Sequence, residues 1–118
     1  MTSYQSIDTI LGYHAHVYFD AATTKQAIEL CEATAELFQI KMGRIHERPV
    51  GPHPMFSCQL NCNPDQFAKL LPWLTLNRGG LIVFCHPETG NHLADHSKNV
   101  IWLGEAQPLK LSIFGEEA

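Results

Sequence analysis

The sequence predicts one α+β domain over residues 1–118, with a ferredoxin-like β-α-β-β-α-β order followed by a C-terminal extension. Three observations predict it. Four short stretches alternate apolar and polar residues or run apolar throughout, two longer stretches repeat at helical spacing, and clusters of Pro, Gly and Asn mark the joints. At 118 residues the chain can enclose one hydrophobic core and not two.

The first strand is "YHAHVYFD" (13–20), where Tyr13, Ala15, Val17 and Phe19 share one face and His14, His16 and Tyr18 the other. In "DAATTKQAIELCEATAELFQI", residues Ala27, Leu30, Cys31, Thr34, Leu37 and Phe38 mark one helical face, and Thr23 with Gln26 fits a capping box. "KMGRIHE" (41–47) reads as a second strand, with Met42, Arg44 and His46 on one side and Ile45 on the other. "RPVGPHP" blocks regular structure, and "MFSCQLNC" (55–62) alternates as a third strand. Asn63-Pro64 opens a second helix whose apolar face is Phe67, Leu70, Leu71 and Leu74, with Pro72 expected to kink or shorten it. After the "NRGG" turn, "LIVFCH" (81–86) is a buried strand. The extension holds a polar loop around "PETGNHLADHS", a short apolar piece "VIWLG" and a possible last strand "LKLSIF".

Composition excludes more than it assigns. Hydrophobic residues make up 45% and charged residues 17%, a globular balance. A net charge of −4 argues against nucleic acid and against an anionic membrane surface as the main partner. No apolar stretch approaches the roughly 20 residues needed to cross a bilayer, and the N-terminus lacks a signal-peptide pattern, so a cytoplasmic protein is expected. Cys31, Cys58, Cys62 and Cys85 form no CxxC pair and read as reduced, buried thiols. The oddity is seven histidines against eight Lys plus Arg.

Their positions suggest a site. With the first and third strands taken as parallel and the others antiparallel to them, His14, His16, His46, His53 and His86 converge on one edge of the sheet. The face carrying His14, His16, Tyr18, Arg44 and His46 is the one without helices, and a second subunit is expected to bury it, sheet against sheet in a homodimer. Clustered neutral imidazoles suit a metal such as zinc or iron, because several lone pairs aimed into one cavity are costly without a cation or donors.

The blocks "YHAHVYFD", "GRIHERPVGPHPMF", "PWLTLNRGGLIVFCHPETGN", "DHSKNVIWLG" and "PLKL", from Tyr13 to Leu111, resemble the DOPA 4,5-dioxygenase family of small extradiol dioxygenases. The resemblance implies a ferredoxin-like domain, non-haem iron, and opening of a catechol ring such as that of DOPA by O₂. The matching blocks contain His14, His16, His46, His53, His86 and His96, with Arg44, Glu47 and Arg78. Such chemistry needs Fe(II) with about three protein ligands and open positions; zinc could replace it in purified protein. The preferred ligands are His16, His53 and His86, with His14 next and Glu47 a possible carboxylate ligand. His96, His14 and His46 are candidate acid/base groups, Arg44 and Arg78 candidates for a substrate carboxylate, and Tyr18 a pocket-lining residue. The alternative is a non-catalytic metal-binding αβ-barrel dimer, distinguished by a closed four-ligand site.

Overall fold

The computed structural model describes residues 3–115. The strands are β1 (Gly12–Phe19), β2 (Lys41–His46), β3 (Phe56–Cys62), β4 (Ile82–Glu88) and β5 (Ile101–Leu103). The helices are α1 (Thr24–Phe38), α2 (Pro64–Asn77) and the short α3 (His92–Asp95), with single 3₁₀ turns at Ile7–Thr9 and Leu111–Phe114. The fold is α+β, and the expected order of the first six elements holds. The sheet order is β2-β3-β1-β4-β5, with every neighbouring pair antiparallel.

That pattern corrects the expected strand directions. β3 runs antiparallel to both β1 and β2, so β1 is parallel to β2 and β3 to β4. The reason is the split βαβ connection: each helix crossover returns the chain parallel to the strand it left, with one antiparallel strand between. By direction alone, His14 and His86 share one end of the sheet, where they are register partners. His46 pairs with Ser57, and His53 precedes β3, at the other end.

One face of the sheet packs on α1 and α2. Ala15, Val17, Phe19, Cys58, Leu60 and Val83 meet Ala27, Leu30, Cys31, Phe67, Leu70 and Leu74 there, and Tyr13 stacks on Phe67 at 3.9 Å between ring centroids. All four thiols are free and buried, as expected of a chain without a disulfide framework. Asn63 caps α2 as predicted, and Gln66 completes a reciprocal capping box.

Several local expectations change. Thr23 makes no capping bond to α1; Asp20 takes the amides of Ala22 and Thr23, and Gln26 donates instead to the Gly79 carbonyl. Leu37 is exposed rather than part of the apolar face. α2 continues through Pro72 to Asn77, so the proline does not shorten it. On β2 the register shifts between Met42 and Ile45, and both pack against the helix-side core. This β-bulge breaks strict alternation: Met42 changes sides, and Arg44 is exposed. The polar "NHLAD" stretch forms α3, and "LKLSIF" carries a 3₁₀ turn, not a strand.

The helix-free face is not left open. His16, Tyr18, Phe84 and His86 are each 3% exposed or less within the single chain. The β2–β3 loop brings His53 over the sheet, and Phe114 in the C-terminal arm stacks on His96, which in turn lies against His86. Loop and arm meet where Lys110 N–H donates to the Pro52 carbonyl at 2.8 Å. Loop and arm therefore bury His16, Tyr18, Phe84 and His86 within the single chain, so this part of the helix-free face is covered without a second subunit. Among the described residues, no helix is long and apolar enough to cross a membrane.

Candidate metal centre

The covered face is a layer of imidazoles and aromatics. Register places His14 beside Asn61 and His86, and His16 beside Gln59 and Phe84, all on that face. One ring nitrogen from each of His14, His16 and His86 lies within 4.8 Å of the others, close enough to hold one metal ion. The Nε2 atoms of His16 and His86 are 3.1 Å apart.

Two of the three rings are anchored from behind. His14 Nδ1 is 2.8 Å from Glu88 Oε1, and His86 Nδ1–H donates to the Pro87 carbonyl at 2.9 Å. Each bond occupies Nδ1 and leaves Nε2 as the free lone pair, the usual arrangement of a metal-binding histidine. Protonation is disfavoured throughout. Burial pushes His86 down to about 4, and burial with neighbouring imidazoles holds His16 well below its usual range. His14 is lowered by burial, an effect that Glu88 opposes. Three neutral imidazoles gathered in one place are a donor set suited to a divalent borderline metal such as iron or zinc. The residues fit the group that the resemblance implies.

The other predicted residues fall into three sets. His53, His46 and Tyr18 lie beside the cluster. His53 packs on His16 at 4.2 Å between centroids, and its Nδ1 shares a 2.7 Å hydrogen bond with the buried Tyr18 hydroxyl. Burial lowers His53 to about 4 and raises the Tyr18 phenol. His53 is outside the three-nitrogen group. It nevertheless reaches the site from the opposite end of the sheet, because its loop folds back. With His16, His46, Val50, Gly51, Pro52, Ser57 and Gln59 it lines a cavity of about 220 Å³. His96 forms a second set on the other flank, 4.0 Å from His86, with Nδ1–H donated to the His92 carbonyl. The third set stands apart. Arg44 and Glu47 are exposed, and the Arg78 guanidinium donates to the carbonyls of Leu81 and Thr75 in its own turn.

Sequence reasoning missed Glu88, Asp95 and Phe84. Glu88 had a signal: it stands two residues beyond His86 on β4, so strand alternation puts both on one face. Asp95 is fully buried and accepts from the Thr89 amide and hydroxyl, tying the β4–α3 turn to the end of α3, where His96 follows. Nothing in the local pattern "LADHS" distinguishes that carboxylate from a solvated one.

Comparison with known proteins identifies the family. The chain is 34% identical over 112 residues to a DOPA 4,5-dioxygenase of Amanita muscaria, covering 87% of this chain and 49% of that protein. An uncharacterized 21.2 kDa protein of Botryotinia fuckeliana is 34% identical over 114 residues, covering 86% of this chain and 62% of its own. The chain thus spans about half to three-fifths of these fungal relatives. A crystal structure from Nostoc punctiforme, described as a "putative dioxygenase", superposes with a TM-score of 0.90 at 42% identity, over 92% of this chain and 95% of that one. The sequence model of the Dopa 4,5-dioxygenase family matches residues 13–113, nearly the whole described chain, and this protein belongs to that family.

Proposed function

We propose that the chain is a metal-dependent extradiol dioxygenase that opens the ring of a small catechol with O₂, and that His14, His16 and His86 hold the metal. The observation that carries the reading is the three-imidazole group, two of whose members are oriented from behind by Glu88 and the Pro87 carbonyl. This ligand set takes His14 in place of the His53 favoured from sequence. Three protein ligands leave coordination positions for substrate and dioxygen, whereas a structural zinc site is closed by four. Fe(II) is the working metal in this reading, with zinc a replacement in purified protein.

When bound, Fe(II) supplies a Lewis acid that favours the catecholate and the redox centre through which O₂ becomes reactive. Ring cleavage keeps both atoms of O₂ in the product, so no external reductant is consumed. The protein's own groups supply orientation and proton transfer. His96, with Nδ1–H committed to the His92 carbonyl, presents Nε2 as a base for the catechol proton. His53, held by Tyr18, faces the cavity on the other side of His16 and is a second proton carrier. The aromatic wall of Phe84 and Trp102, stacked at 4.6 Å, keeps this side of the sheet dry.

Anaerobic reconstitution with Fe(II), followed by addition of 4-methylcatechol or L-DOPA and air, tests the reading. Iron-dependent O₂ uptake with a coloured ring-opened product, absent in the zinc-loaded protein and in His16→Ala, is the expected result. Tight metal binding with no uptake across a panel of catechols overturns it in favour of a non-catalytic metal protein.

A further inference from the structure

The cavity beside His16 carries information about the substituent on the substrate ring. Its polar groups are the Ser57 hydroxyl, the Gln59 amide, and the rings of His46 and His53, and no Lys or Arg lines it. Gln59 donates its Nε2–H to Asn61 Oδ1 at 2.6 Å, which turns its carbonyl oxygen into a free acceptor. His53 Nδ1 is already shared with Tyr18. None of the chain's three arginines lines the cavity, and Arg48 stands exposed in the β2–β3 loop. Arg44 projects from the β2 bulge into solvent, and Arg78 is spent on two carbonyls of its own turn. A carboxylate entering this cavity would give up part of its hydration and gain no guanidinium or ammonium partner among the lining residues. A hydroxyl would find an acceptor in Gln59 and a donor or acceptor in Ser57.

We propose that the cavity lined by His16, His46, His53, Ser57 and Gln59 is the specificity pocket for the ring substituent, and that it selects catechols with an uncharged, hydrogen-bonding side chain over those bearing a carboxylate. The inference rests on the dioxygenase reading, because it assumes that the catechol ring sits at the histidine cluster. It gives the pocket the job of ranking substrates, separate from the chemistry.

The test uses the Fe(II)-loaded protein and a series of 4-substituted catechols of similar length: ethyl, 2-hydroxyethyl, carboxymethyl and the alanyl side chain of L-DOPA. Calorimetric binding to the zinc-loaded protein is measured alongside. The 2-hydroxyethyl compound is expected to exceed the carboxymethyl compound in kcat/KM and in affinity by about tenfold or more, the scale of one unmatched polar group in a binding site. In Gln59→Leu the preference for 2-hydroxyethyl over ethyl should shrink, and in Gln59→Lys the carboxymethyl compound should gain on both. Arg44→Gln should leave the whole ranking unchanged. A carboxylate bound and turned over as well as the hydroxyethyl compound, or lost specifically in Arg44→Gln, overturns the proposal while leaving the dioxygenase reading intact. Failure of every catechol in both binding and turnover overturns both.

Discussion

The two faces of the sheet are built by different means. The helix side is covered by two regular elements and filled with Ala, Val, Leu, Cys and Phe, whose positions follow simple periodicity. The other side is covered by a loop and an arm with almost no regular structure, and its buried residues include His16, Tyr18, His53, Ser57, Phe84, His86 and His96. The first face makes the fold stable. The second pays for a cluster of neutral imidazoles with directed hydrogen bonds, and that is where we place the chemistry.

If this division is right, variants on the two faces should separate stability from metal binding. The largest effect on stability is expected from Leu60→Ala, a fully buried helix-side residue. It should cost about 2–5 kcal/mol, measured as a lower urea midpoint at unchanged slope, with metal stoichiometry per folded chain preserved. On the other face, His86→Ala should weaken metal binding by more than about a hundredfold, beyond what an outer partner contributes. Its apo form should stay folded, which far-UV circular dichroism checks. Glu88→Ala removes only the support behind His14, and a loss of about 10–100-fold in metal affinity is expected. Equal losses in metal binding from Leu60→Ala and Glu88→Ala would erase the distinction between the faces.

Acid should act on the histidine face. Unfolded histidines take up protons near their ordinary value of 6.5, whereas folded His53 and His86 do so only near 4. Between those values the unfolded chain binds more protons, so these two residues make stability fall as pH drops from about 6.5 to about 4 and level off below. Thermal melts of the apo protein across that window check the sign, and His53→Gln should flatten part of the slope. Protons also compete with metal for folded His86, so affinity should fall as the pH approaches about 4. The smallest effect is expected from Phe114→Ala. It removes one stacked ring from His96, about 0.5–1.5 kcal/mol, and should show mainly as faster proteolysis of the arm.

The same contrast explains what the sequence made legible. Elements on the helix side were readable because each contributes a periodic apolar pattern: β1 alternates, α1 and α2 repeat at helical spacing, and Asn63-Pro64 marks the start of α2. Met42 was misplaced because a bulge adds a residue without any change in composition. On the second face, alternation correctly grouped His14, His16 and Tyr18, but nothing local revealed that the chain supplies its own cover. The Pro52–Lys110 contact joins segments far apart in sequence, and the arm has no periodicity. Strand direction was misassigned, yet His53 still reaches His16, because the returning loop and not the strand end determines its position. The proposed ligand group needed the folded geometry: Nδ1 is occupied in both His14 and His53, by Glu88 and by Tyr18, and only the spacing of the ring nitrogens groups His14 with His16 and His86.

The most direct measurement is anaerobic titration of Fe(II) into the wild-type protein, His14→Ala and His53→Ala by calorimetry. One metal per chain in the wild type and in His53→Ala, with that binding lost in His14→Ala, is the result the three-histidine site predicts. Binding retained in His14→Ala and lost in His53→Ala would contradict it and move the metal to the other side of His16.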